Sequence, residues 1–146
     1  MGKADDILTG SCLCGAVTFE IETPTSYCCH CHCSNCRRAH GAAFVTWLGF
    51  DDEDFRLTSN PDDLVNYHTD TGATRSFCRK CGTTLFYKSP RWEGENNVAL
   101  GNVHGEADRV PEHHMYVDHK AKWHQITDSL PQKGGETGEE PKARPS

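Results

Sequence analysis

The sequence predicts an all-β fold of short strands held together by metal. Three observations carry that expectation. Apolar side chains alternate with a period of two along several stretches, turn-forming residues recur between them, and seven of the nine cysteines fall into three tight clusters. Only one segment has helical character.

Taken in order, Val17, Phe19 and Ile21 alternate with Thr18, Glu20 and Glu22, the pattern of a half-buried strand. Residues 43–50, 64–68, 83–87 and 97–103 are apolar and β-prone, and 115–117 is a further short strand. Asn60-Pro61-Asp62, Asp70-Thr71-Gly72 and Glu93-Gly94 are turn signals between them. Residues 34–40 predict a helix of about two turns, with Ser34 as N-cap and Gly41 as terminator. At 146 residues the chain is most simply one domain, here placed at 7–130. Residues 1–6 are expected to be a flexible N-terminus. Residues 131–146, rich in Gly, Pro, Glu and Lys, lack large apolar side chains and are expected to be a disordered tail.

The formal net charge is −6, with 21 acidic against 15 basic side chains, which argues against nucleic acid as a partner. No apolar run approaches the roughly 18 residues of a membrane span, so no membrane partner is expected. Residues 1–6 are polar and lack the apolar core of a secretory signal. A cytoplasmic, reducing location is therefore expected, where clustered cysteines read as metal ligands before disulfides. Nothing in the sequence specifies an oligomeric state.

The clusters divide unequally. Cys12-x-Cys14-Gly15 and Cys78-x-x-Cys81-Gly82 read as two halves of one closed, structural zinc site. Amides in such turns point at the sulfurs, and a following glycine can take positive φ without steric cost. The third cluster, Cys31-His32-Cys33-Ser34-Asn35-Cys36, offers three sulfurs and leaves a coordination position for water, a thiol or a further side chain. Cys31 and Cys33 share a strand face, and Cys36 lies in the first helical turn, where backbone amides favour thiolate. Cys29, on the face of Cys31 and Cys33, or His40, one helical turn past Cys36, could close this site. Alternation places His30 and His32 on the other face, with Cys28.

Arg37 and Arg38 follow Cys36 directly and could give charge-assisted bonds to carboxylates of an anionic ligand, or simply pair with surface acids. His104, His113, His114, His119 and His124 have no metal-like spacing and are expected on surface strands or loops. Trp47, Trp92 and Trp123 read as core or rim aromatics, Trp47 being the one close to the open cluster.

Together, residues 10–17 (Gly-Ser-Cys-Leu-Cys-Gly-Ala-Val), 31–38 (Cys-His-Cys-Ser-Asn-Cys-Arg-Arg) and 77–83 (Phe-Cys-Arg-Lys-Cys-Gly-Thr) resemble the glutathione-dependent formaldehyde-activating family, also called the CENP-V/GFA domain. The resemblance runs from about Thr9 to Trp123. It implies an Mss4-like fold of small twisted antiparallel sheets around zinc. It also implies two ions: a structural zinc on Cys12, Cys14, Cys78 and Cys81, and a catalytic zinc on Cys31, Cys33 and Cys36. The implied activity is that of a carbon–sulfur lyase joining a thiol such as glutathione to formaldehyde or a related small aldehyde, or the reverse. No protein nucleophile is then needed, and Arg37 and Arg38 could hold the carboxylates of glutathione. The alternative is a non-catalytic zinc-binding module that binds a thiol ligand or a protein partner, since fold does not fix function.

Overall fold

The computed structural model describes residues 6–142. Its elements are β1 (Ile7–Ser11), β2 (Thr18–Glu22), β3 (Tyr27–Cys31), α1 (Ser34–His40), β4 (Val45–Asp51), β5 (Phe55–Leu57), β6 (Leu64–His68), β7 (Thr74–Cys78), β8 (Thr84–Lys88), β9 (Glu95–Ala99), β10 (His113–Met115), β11 (Lys133–Gly134) and β12 (Glu140–Pro141), with short 3-10 turns between several of them. The all-β class, with one helix and mostly antiparallel strand pairing as in the Mss4-like expectation, is what the chain adopts. No helix of the described residues is long and apolar enough to cross a membrane.

The expected single domain is resolved into two compact units. One holds the residues up to Tyr27 and Leu48–Arg109, the other Cys28–Trp47 and the residues from Val110 on. The chain passes between them within β3, within β4 and after Arg109.

In the first unit β1, β2 and β5 form a three-stranded antiparallel sheet, with Leu8 opposite Ile21 and Phe19 opposite Leu57. The alternation read from the sequence holds in β2, where Phe19 and Ile21 are buried between partly exposed Thr18, Glu20 and Glu22. Strands β6, β7, β8 and β9 form an antiparallel meander. The turn expected at residues 70–72 joins β6 to β7, and Gly72 takes φ 89°, a conformation costly for a residue with a Cβ. Phe19 meets Phe86 edge-on at 5.2 Å, Phe86 meets Phe55 at 5.1 Å, and Phe55 stacks on Phe50 at 5.6 Å. Val17, Leu48, Leu85 and Val98 are buried completely in this unit. At about 1.5–3 kcal/mol for each large apolar side chain removed from water, these residues contribute substantially to its stability. Gly10 on β1 is required by space: a Cβ there would lie 2.2 Å from the Phe19 ring and 2.4 Å from the Asn102 carbonyl.

In the second unit β3 pairs with β10 in parallel, His114 lying opposite His30 and Met115 opposite Cys31. The helix has the predicted span and terminator, with Gly41 left-handed at φ 61° and its amide bonded to the Arg37 carbonyl. Its N-cap is Cys33 rather than Ser34. The Cys33 carbonyl already accepts from the Arg37 amide, at 2.9 Å, so the helix begins one residue before the hydroxyl suited to cap it.

The segment from Pro131, expected to be disordered, carries β11 and β12, which pair Lys133 with Pro141 and Gly134 with Glu140. Polar anchors replace the missing apolar ones: Asp118 accepts the Gly135 amide at 2.9 Å, and the Tyr116 amide donates to the Gly138 carbonyl at 3.2 Å. Residues 1–5 and 143–146, the outer parts of the two expected flexible ends, lie outside the described residues.

Candidate functional site

The first unit brings Cys12, Cys14, Cys78 and Cys81 together. One ligand atom from each lies within 4.8 Å of all the others, with Cys12 and Cys14 sulfurs 3.7 Å apart and Cys14 and Cys78 sulfurs 3.8 Å apart. Local folding aims backbone donors at this group. The Val17 amide donates to Cys12 Sγ at 3.3 Å, and the Lys80 and Cys81 amides donate to Cys78 Sγ at 3.3 and 3.4 Å. Each turn closes on itself, Gly15 donating to the Cys12 carbonyl and Gly82 to the Cys78 carbonyl, with φ of 85° and 77° at the two glycines. Thr83 joins the halves: its hydroxyl accepts the Leu13 amide at 3.1 Å and lies 3.1 Å from Cys81 Sγ.

These contacts unbalance the thiols. The Thr83 hydroxyl and backbone hold Cys81 down to about 5. Although the Ala16 amide favours the Cys14 thiolate, desolvation and the neighbouring sulfurs push Cys14 up to about 11. Four sulfurs this close ionise together only around a cation, and four converging thiolates suit a soft, tetrahedral one. The group could therefore hold a metal ion. It is the one set of three or more His, Cys, Asp or Glu side chains among the described residues that converges this tightly.

The second unit arranges the middle cluster more loosely. Cys31 and Cys36 are buried with their sulfurs 3.7 Å apart. Cys33 is partly exposed and interacts with Cys36, and that hydrogen bond, with burial, pushes the Cys33 thiol up. Cys36 is thus the sulfur that meets both others. Cys29 faces elsewhere, donating to the Met115 thioether at 3.3 Å, and burial with the neighbouring Cys28 charge pushes its thiol up. His40 packs edge-on against buried Trp47 at 5.2 Å. Among the described residues, the three sulfurs do not converge as tightly as the first four, and neither Cys29 nor His40 completes such a group with them. Arg38 donates to Asn35 Oδ1 at 3.0 Å on the exposed side of the helix, whereas Arg37 Nε is buried with no hydrogen-bond partner.

Against the expectation of surface positions, His114 is 2% exposed and lies at the centre of a histidine cluster that sequence reasoning missed. His114 Nε2 lies 3.0 and 3.1 Å from the Asp128 carboxylate oxygens, and His114 Nδ1 lies 2.9 Å from His32 Nε2. His32 is fully buried, and its Nδ1 has no partner. His30 bonds Thr46 Oγ1 through Nδ1 at 2.8 Å, and Phe44 packs against both rings. Burial, then His114, presses His32 down to about 3, so this ring stays neutral. An unpaired buried acceptor costs roughly 1–3 kcal/mol, which marks His32 as more than filling. Its expected alternation away from Cys31 and Cys33 could be read, but its partner His114, 82 residues on, and that ring's own partner Asp128 could not.

With this geometry in view, the comparisons with known proteins identify the class. The family description for the glutathione-dependent formaldehyde-activating enzyme matches residues 7–119, and the chain belongs to that family. The chain is 29% identical over 127 residues to a candidate glutathione-dependent formaldehyde-activating enzyme of Halomonas elongata, covering 82% of this chain and 81% of that one. It is also 34% identical over 85 residues to an uncharacterised lyase of Schizosaccharomyces pombe, covering 53% of this chain and 55% of the yeast protein. Among solved structures, the crystal structure of a Rhodobacter sphaeroides protein aligns with a TM-score of 0.59 at 28% identity, over 70% of this chain and 97% of that one. A lyase-type, formaldehyde-activating role is thus supported at the level of the family.

Proposed function

We propose that the protein is a zinc-dependent carbon–sulfur lyase that adds a thiol such as glutathione to formaldehyde or a related small aldehyde, or catalyses the reverse. Cys12, Cys14, Cys78 and Cys81 would hold a structural zinc. Cys31, Cys33 and Cys36 would hold a second, catalytic one with a position left for the substrate. Zinc bound there would supply a Lewis acid that favours thiolate over thiol and polarises an aldehyde oxygen. In the reaction a carbon–sulfur bond forms, and the thiol proton ends on the former carbonyl oxygen.

The observation that carries this reading is the contact of Cys36 with both other sulfurs, with Cys29 and His40 engaged by Met115 and Trp47 instead. Three sulfurs without a fourth leave room for an exogenous ligand. Arg37 and Arg38 would bind the carboxylates of the thiol. Arg37 is the better suited, because its buried Nε has no partner while Arg38 is engaged by Asn35. Such an enzyme belongs in the reducing cytoplasm, where glutathione is abundant and its own cysteines stay reduced.

The test is exchange between free formaldehyde and its glutathione adduct, followed by NMR with the zinc-loaded protein. Acceleration by the wild type that is lost in Cys36→Ser supports the enzyme. No acceleration with glutathione or other small thiols favours a ligand-binding module.

A further inference from the structure

We propose that Asp128 and His114 are positioning residues for the Cys31–Cys33 segment, acting through His32. The inference rests on the reading of Cys31, Cys33 and Cys36 as metal ligands, and it concerns how this chain holds them in place. Two of those cysteines flank a residue whose ring points into a fixed hydrogen-bond chain. The backbone of the same residue is also fixed, the His32 amide donating to the Met115 carbonyl at 2.9 Å. His32 is therefore anchored twice, by its main chain to β10 and by its ring to His114 on the same strand. An anchor at the middle of Cys-x-Cys restricts the backbone torsions that set the spacing of both sulfurs.

The direction of the chain follows from its acid end. The Asp128 carboxylate can only accept, so His114 Nε2 carries the proton that lies between them. In the proposed chain His114 Nδ1, 2.9 Å away, accepts the proton of His32 Nε2. The lone pair of His32 falls on Nδ1, the atom that has no partner. Asp128 in turn is held by accepting the Leu130 amide at 3.0 Å. An exposed carboxylate thereby sets the tautomer of a ring buried two residues further in. Groups that orient metal-ligating elements in this way are worth roughly 10–100-fold in metal affinity.

The test uses the whole 146-residue chain with zinc, in wild type, His114→Gln, Asp128→Ala and Asp128→Glu. Nitrogen NMR should find His32 and His114 both protonated at Nε2; a proton on His114 Nδ1 overturns the proposal. Hydrogen exchange at the His32 amide should rise at least about tenfold in His114→Gln and by less in Asp128→Ala. The Cys12 and Cys78 amides, in the other unit, serve as the unchanged control. Affinity for the second zinc should fall about 10–100-fold in His114→Gln, with the first zinc retained and Asp128→Glu close to wild type. Wild-type exchange and affinity in both His114→Gln and Asp128→Ala overturn the proposal. If the wild type holds one zinc, the metal reading of Cys31, Cys33 and Cys36 fails, and tautomer and exchange still decide the positioning role. Because Asp128 is 45% exposed, its variants are expected to fold even if His114→Gln does not.

Discussion

His32 Nε2 lies 2.9 Å from His114 Nδ1, joining two buried rings 82 residues apart in sequence. This pair ties the segment that carries the middle cysteine cluster to the segment that follows Val110. It also places two polar rings among the buried residues of the second unit, where the first unit has a cluster of phenylalanines.

A buried neutral ring makes stability depend on pH. The ordinary histidine value is about 6.5, and burial lowers His32 to about 3, so between those values the unfolded chain binds the extra proton. The contribution is fully present above about pH 6.5 and is lost as pH falls towards 3. Denaturant unfolding across this window should lose stability with a slope of up to about 1.4 kcal/mol per pH unit from this group. His32→Phe should flatten that slope.

The four-cysteine group should be the main fastener of the first unit. Cys12→Ser or Cys78→Ser removes a buried sulfur that also accepts backbone amides, and the loss should exceed about 4 kcal/mol, the range reached when a structural metal is lost. Thermal melts with and without a strong chelator check this. The wild type should lose its Tm advantage over the variants once chelated.

Packing around β1 gives a prediction independent of metal. Gly10→Ala would set a methyl 2.2 Å from the Phe19 ring, with the Asn102 carbonyl on its other side. The cost should be about 1–3 kcal/mol or more in urea unfolding, with metal content unchanged. Gly101→Ala, with no atom within 4 Å of its added Cβ, is the control.

Cys29 and His40 were the two residues with which sequence spacing could close the middle cluster. Their partners here are Met115 and Trp47. Cys29→Ser and His40→Ala should therefore each keep the zinc content of the wild type, measured by elemental analysis, while Cys31→Ser and Cys36→Ser each lose one equivalent.

What the sequence disclosed follows the range of the interactions. The alternation of β2 and the helix with its Gly41 terminator are local, and so they were legible. The convergence of Cys12 and Cys14 with Cys78 and Cys81 is long-range, yet it was legible because metal chemistry permits few arrangements of such clusters. The strands at 7–11 and 74–78 were hidden because they hold Thr, Ser, Gly and Arg among few apolar residues, and their pairing comes from neighbouring strands. The pairing at 133–141 was hidden because polar anchors, not buried apolar area, hold it. The chain from His32 through His114 to Asp128 has no periodic or spacing signal at all. Three polar residues far apart in sequence become a unit only when β10 is laid beside β3.

The account turns on whether Cys31, Cys33 and Cys36 hold a metal that can take a thiol. Cobalt substitution followed by glutathione titration tests this most directly. The account predicts two cobalt ions per chain and a change in the thiolate-to-cobalt absorption of one of them as glutathione is added, absent in Cys36→Ser. A single ion per chain, or two whose spectra ignore glutathione and every other small thiol, would contradict it.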